Sequence, residues 1–161
     1  MKTLFLVRHA KAGRDDPALP DRERPLDERG REDAPLMGRR LARHHVQPDL
    51  ILSSPAVRAL STAQAFAHAL GYAPQRIAIE TRLYASTAET LLAVVRSLDR
   101  KLGCVMLFSH NPQISELAQH LAGEVSYLGT CAVVELRYDM KSWSDIGVIA
   151  PSKVKLDGPK L

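Results

Sequence analysis

Three short polar motifs contain arginine and histidine residues that could bind and attack a phosphoryl group. They are Arg-His-Ala-Lys at residues 8–11, Ser-Ser-Pro-Ala-Val-Arg at residues 53–58 and Ser-His-Asn-Pro at residues 109–112. Each motif directly follows a short apolar run that is typical of a buried strand. Ligands of open α/β sheets bind in the crevice at the carboxyl ends of the strands. We therefore expect the three motifs to meet in one crevice.

Four side chains of these motifs have the chemistry of an anion site. Arg8 and Arg58 offer planar, permanently charged groups that can bind phosphate oxygens in a bidentate manner. A neutral imidazole nitrogen of His9 can attack phosphorus near neutral pH without a strong base. His110 can donate to the phosphoryl oxygens as negative charge develops. The helix that is predicted to begin near Pro55 points free N–H groups at the same place.

Two further residues have two interpretations each, and a third has one. Lys11 either contacts the phosphate or is an exposed loop lysine. Thr130 precedes a late strand and either lines the crevice or has no role in it. Asn111 follows His110 and is a candidate cap for the next helix.

The elements that position these motifs alternate along the chain, which predicts an α/β fold. We expect a single three-layer domain, with a mostly parallel central sheet, one antiparallel member and helices on both faces. The domain is predicted over residues 1–150, and residues 151–161, with two prolines and three lysines, are predicted to be a loose C-terminal tail. The predicted strands cover residues 3–7, 50–53, 77–80, 105–109, 132–137 and 145–149.

Composition excludes several classes of partner. The net charge of +4 is mild for 161 residues, and aromatic residues make up only 5%, so nucleic-acid binding is not expected. No apolar stretch approaches the roughly 20 residues that span a bilayer, so no membrane association is expected. The apolar run at residues 4–7 is too short for a secretion signal and is followed at once by Arg8. These features predict a cytoplasmic protein.

The ordered set of motifs resembles the histidine phosphatase superfamily, whose fold is phosphoglycerate mutase-like. The segments that carry the resemblance are Leu-Phe-Leu-Val-Arg-His-Ala-Lys-Ala at 4–12, Arg-Pro-Leu-Asp-Glu-Arg-Gly at 24–30, Ser-Ser-Pro-Ala-Val-Arg-Ala at 53–59 and Ser-His-Asn-Pro at 109–112. They are most similar to the SixA phosphohistidine phosphatase branch. The resemblance implies that His9 becomes transiently phosphorylated while Arg8, Arg58 and His110 hold the phosphoryl group. It also implies that no metal and no organic cofactor takes part.

The chain departs from many members of that superfamily because it lacks an evident carboxylic acid for the leaving group. The segment at residues 81–85 contains no carboxylate, and Asn111 stands where the phytase-like branch has aspartate. Asp15, Asp16 and Glu89 remain as distant candidates. An alkoxide leaving group needs such an acid, worth roughly 10²–10⁴-fold in rate. An imidazole, whose pKa is about 6.5, needs far less help.

The missing acid therefore predicts a phosphatase that acts on phosphohistidine of a signalling or phosphotransfer protein. Short loops at residues 12–25, 81–87 and 123–130 predict an open site that suits a histidine projecting from a partner protein. Two alternatives stay open. One is a broad-specificity phosphatase for small phosphate monoesters. The other is a phosphate-binding pseudoenzyme, although the intact set of arginines and histidines weighs against it.

Overall fold

The computed structural model describes residues 1–161, which form one α/β domain around a six-stranded sheet. The strands lie in the spatial order β3-β2-β4-β1-β5-β6, and the first four run parallel to one another. β5 pairs antiparallel with β1, and β6 pairs antiparallel with β5. The predicted mostly parallel sheet is confirmed. The strands are β1 (Lys2–Arg8), β2 (Leu50–Ser53), β3 (Ala78–Ile79), β4 (Cys104–Ser109), β5 (Val133–Tyr138) and β6 (Lys153–Asp157).

Helices cover both faces of the sheet, as predicted. They are α1 (Glu28–Arg43), α2 (Val57–Leu70), α3 (Ala88–Arg96) and α4 (Gln113–Leu121). Phe5 and Val7 of β1 pack into the apolar cluster under α1 and α2, whereas Leu4 and Leu6 pack into the cluster under α3 and α4. A strand that is buried on both faces has a continuous apolar sequence. None of the helices has the length and apolar composition needed to cross a bilayer.

The loop after β1 is held against the beginning of α1. Asp27 caps that helix, as predicted, because its carboxylate accepts the Gly30 N–H at 2.8 Å. The Asp27 N–H donates to the Lys11 carbonyl at 3.0 Å. A Cβ atom on Gly30 would lie 2.1 Å from that same carbonyl oxygen, so only glycine allows this approach. These contacts fix the backbone at Lys11, two residues after His9.

The predicted end of the chain is wrong in two respects. Residues 145–149 do not form a sheet strand; Trp143–Asp145 form a 3₁₀ turn instead, with the Trp143 ring fully buried. Residues 151–161 are not a loose tail, because β6 lies within them and pairs along β5. The Asp157 carboxylate accepts from Arg40 of α1 at 2.8 Å, which ties this segment to the domain.

The second motif also differs from its prediction in one detail. α2 begins at Val57 rather than at Pro55. The Ser54 hydroxyl oxygen accepts the Ala56 N–H at 3.2 Å, so it stabilises the turn that precedes the helix. The helix ends at Gly71, whose φ of 70° is the left-handed conformation that glycine adopts without strain.

Candidate active site

The sheet register brings the first and third motifs side by side. β1 and β4 are parallel neighbours, and Arg8 lies opposite Ser109 at their carboxyl ends. His9 and His110 each follow directly, and their ring centroids are 5.1 Å apart. The backbone N–H of His9 donates to the Ser109 carbonyl at 3.2 Å, so the hydrogen bonds between β1 and β4 continue past the end of β1.

The second motif follows β2, which pairs with β4 on the side opposite β1. Arg58 is the second residue of α2, and it is only 6% exposed. It opens onto a crevice of about 390 Å³ that all five predicted site residues line. Those five residues are Arg8, His9, Lys11, Arg58 and His110. Arg14 and Arg24 also line the crevice, whereas Asp21 supplies its single carboxylate.

The hydrogen bond of the His9 ring determines which of its nitrogens carries the proton. Nδ1 lies 2.7 Å from the Ala10 carbonyl oxygen, which can only accept, so Nδ1 carries the proton. Nε2 is then the unprotonated nitrogen. The pKa of His9 is lowered to about 4, mainly by burial, against the opposing bond to Ala10 and with a contribution from the charges of Arg58 and Arg8. The ring is therefore neutral at pH 7.

His110 is held by the second motif. Its Nε2 lies 2.8 Å from the Ser54 hydroxyl oxygen. Because that oxygen already accepts the Ala56 N–H, its own proton can be donated to Nε2, which places the ring proton on Nδ1. The pKa of His110 is lowered to about 3, mainly by burial and also by His9 and Arg58.

Three buried nitrogens of the crevice residues have no partner in the protein. They are Nδ1 of His110, Nε of Arg8 and Nε of Arg58. Buried donors are ordinarily hydrogen-bonded, so an unpartnered group of three calls for an explanation. An anion with several acceptor oxygens, such as a phosphoryl group, would satisfy donors of this kind.

Asp21 is the one crevice carboxylate, and the sequence analysis missed it. Its Oδ2 accepts from the Tyr84 hydroxyl at 2.8 Å and from Arg58 Nη2 at 3.0 Å. Arg58 Nη1 also donates to the backbone carbonyl of Asp21 at 2.7 Å. The bond from Tyr84 and then those from Arg58 hold the pKa of Asp21 well below its usual range. Asp21 is therefore ionised at neutral pH and is not a proton donor.

The carboxylates that the sequence offered as distant candidates, Asp15, Asp16 and Glu89, do not line the crevice. Asp21 escaped notice because it lies in a 3₁₀ turn within a charged, proline-containing loop, where no spacing marks it. The only signal was its place between the first motif and the segment at residues 24–30.

The loop before β5 forms the remaining wall. Arg8 Nη1 donates to the Tyr127 hydroxyl at 3.1 Å and to the Leu128 carbonyl at 3.2 Å. Asn111 does not cap α4 as predicted; its Nδ2 donates to the same Leu128 carbonyl at 2.8 Å, which ties the start of α4 to this loop. Thr130 lines the crevice, and Lys11 lies exposed at its rim.

The depressed pKa of His9 gives a direct test of this geometry. We expect the His9 ring to titrate near pH 4 in the folded protein, because the charged form is disfavoured by burial and by the arginines. A histidine signal in long-range ¹H–¹⁵N NMR spectra, assigned by its loss in His9→Ala, would report the midpoint. A midpoint near 6.5 would contradict the buried, cationic environment.

The same shift has a consequence for stability. Between pH 6.5 and pH 4 the unfolded chain binds a proton at residue 9 that the folded protein does not bind. His9 therefore makes the free energy of unfolding decrease as the pH falls through this range. His110 acts in the same direction, since its pKa is lowered as well.

Taken together, the fold and the crevice define an α/β protein that presents two neutral histidines, the buried Arg58 and the partly buried Arg8 at the carboxyl ends of its parallel strands. The family model of the histidine phosphatase superfamily (branch 1) matches residues 4–85. The chain belongs to this superfamily, and its fold is that of a phosphatase of the SixA and phosphoglycerate mutase-like type.

Relatives cover nearly the whole chain. An uncharacterized chloroplastic protein of Arabidopsis thaliana is 30% identical over 98% of this chain and 76% of its own length. An uncharacterized protein of Mycobacterium tuberculosis is 34% identical over 84% of this chain and 80% of its own length. Among solved structures, a protein of Agrobacterium tumefaciens assigned as a SixA phosphohistidine phosphatase is 28% identical, with a TM-score of 0.79 over 96% of this chain and 94% of that one.

Proposed function

We propose that this protein removes the phosphoryl group from phosphohistidine on a signalling or phosphotransfer protein, through a phosphorylated His9. One observation carries the choice of substrate. The crevice contains a neutral histidine nucleophile and four arginines, but its only carboxylate, Asp21, is held ionised and cannot protonate a leaving group.

In the first step, Nε2 of His9 attacks phosphorus and the bond to the substrate's imidazole nitrogen breaks. The proton on Nδ1, held by the Ala10 carbonyl, leaves Nε2 free for that attack. Arg8 and Arg58 balance the charge of the phosphoryl oxygens, and Nδ1–H of His110 donates to one of them. The ring nitrogen of the substrate that does not carry phosphorus takes a proton from solvent before the bond breaks, so that a neutral imidazole leaves.

In the second step, water attacks the phosphorus on His9, inorganic phosphate leaves and the neutral ring is restored. The attacking water gives up one proton, and the same arginines and His110 stabilise the charge that develops. The open crevice admits this water directly, since Arg14, Arg24 and Lys11 at its rim leave it in contact with solvent.

The leaving group decides between substrate classes. A phosphohistidine ring that is protonated on its other nitrogen leaves readily as neutral imidazole, whose conjugate acid has a pKa near 6.5, whereas the alkoxide of an alkyl ester lacks the general acid that is worth roughly 10²–10⁴-fold. The exposed Lys11 and Tyr127 beside the crevice leave room for a histidine presented by another protein. Both features favour phosphohistidine over a small ester.

We expect purified enzyme to hydrolyse a phosphohistidine protein with a kcat/KM at least about 10²-fold above that for an alkyl phosphate monoester, the lower limit of a missing general acid. A panel of phosphorylated histidine-containing transfer domains and small phosphate esters, assayed by phosphate release, measures the ratio. Equal turnover of both classes would contradict the proposal and favour the broad-specificity phosphatase.

A further inference from the structure

A second cavity lies directly beside the candidate active site. Its volume is about 320 Å³, and it shares Lys11 and Thr130 with the catalytic crevice as lining residues. Tyr127, whose hydroxyl accepts from Arg8, also lines it. The cavity therefore adjoins the crevice, with Lys11 and Thr130 lining both.

The outer wall of this cavity comes from the end of the chain. Leu156 of β6 and residues 158–161 line it, opposite Tyr127. This segment is fixed in place, since β6 pairs along β5, and Arg40 Nη1 donates to both Asp157 and the Gly158 carbonyl. The segment that the sequence predicts to be loose is thus a wall of a defined cavity with apolar surface.

The charges of the cavity are not balanced within the protein. Arg29 is paired with Asp33, with Nε 3.2 Å from the carboxylate. Lys11 and Lys160 are both exposed, and neither forms a salt bridge or a side-chain hydrogen bond. Two unpaired ammonium groups beside apolar and aromatic surface favour a ligand that presents a carboxylate on an otherwise apolar or neutral segment.

We propose that this cavity receives the segment of the phosphorylated partner protein that flanks the phosphohistidine, and that Lys11 and Lys160 select an acidic side chain there. The inference rests on the proposed function and adds a substrate preference to it. The volume lies at the low end of the range for ligand pockets, which suits one or two side chains rather than a whole element.

Two phosphohistidine peptides that differ only by glutamate or glutamine beside the modified residue test this preference. For the wild-type protein we expect a kcat/KM that is roughly three- to fivefold higher for the glutamate peptide at low salt, as for a partly exposed ion pair. Lys160→Gln should reduce that ratio, and Lys160→Glu should reverse it. Lys153→Gln, an exposed lysine of β6 outside the cavity, should leave the ratio unchanged.

The outcomes separate the two proposals. Hydrolysis of both peptides at equal rates by the wild-type protein would overturn the acidic preference while leaving the proposed function intact. An equal effect of Lys160→Gln and Lys153→Gln would also overturn it. If a phosphohistidine protein is hydrolysed but neither peptide is, this inference fails alone; if none of the three is hydrolysed, the proposed function fails with it.

Discussion

Replacing His9 with alanine is expected to abolish phosphohistidine hydrolysis, with a loss in kcat on the order of 10⁴-fold or more. The reason is that the substitution removes the nitrogen that forms the covalent intermediate, and losses of this size follow removal of a nucleophile. Release of inorganic phosphate from a phosphohistidine protein measures the effect. The smaller alanine side chain leaves the backbone ladder of residue 9 to Ser109 in place, so the fold should survive.

A second histidine-to-alanine variant, at a position outside the crevice, is the control for this substitution. His68 lies exposed on α2, away from the crevice. His68→Ala should retain wild-type turnover, and circular dichroism should show that both variants are folded. A His9→Ala protein that is folded and keeps more than about a tenth of the wild-type kcat would contradict the assigned nucleophile.

Replacing Arg58 with alanine should lower kcat/KM by about 10²–10³-fold, which is the usual cost of one donor to a developing oxyanion. Arg58 is buried at the crevice, and its Nε has no partner in the protein. The substitution also removes one of the two guanidinium partners of Asp21 and leaves it paired with Arg24 alone, so its carboxylate is less well neutralised beside the phosphoryl group. Both changes raise the barrier. Steady-state assays with a phosphohistidine protein measure the loss.

Lysine at position 58 tests the role of geometry. Arg58→Lys keeps the charge but loses the planar pair of donors, so we expect it to recover only part of the lost kcat/KM. Arg39→Ala, an exposed arginine of α1 without a salt bridge, is the control and should behave as wild type. Equal activities of Arg58→Ala and Arg39→Ala would contradict the role of Arg58 in binding the phosphoryl group.

The parts of the site that could be predicted lie at the ends of regular elements. Each of His9, Arg58 and His110 follows an apolar strand within a few residues, and the rule that parallel strands end at one edge of the sheet is enough to bring them together. The structure follows this rule, because Arg8 at the end of β1 lies opposite Ser109 at the end of β4.

The parts that could not be predicted depend on tertiary contacts of loops. Asp21 meets Arg58 and Tyr84 only because the loop after β1 folds back over the crevice. Nothing in the local sequence around residue 21 encodes that contact. Likewise Tyr127 becomes part of the site through its bond to Arg8, which lies 119 positions away in the chain.

The end of the chain shows a different limit. Residues 153–156 alternate lysine with valine and leucine, which is the pattern of an edge strand with one face toward the domain. Lysines, prolines and the terminal position favoured a loose tail instead. Pairing with β5 and the bond from Arg40 to Asp157 decided the outcome, and the local sequence specifies neither.

Trapping of a phosphorylated enzyme tests directly whether His9 carries the phosphoryl group. Wild-type protein is mixed with a phosphohistidine donor labelled in its phosphoryl group, denatured rapidly at alkaline pH and digested for mass spectrometry. We expect label on the peptide that contains His9, released on acid treatment, and no label on His9→Ala. Absence of label from the wild type during turnover, or label on another residue, would contradict it.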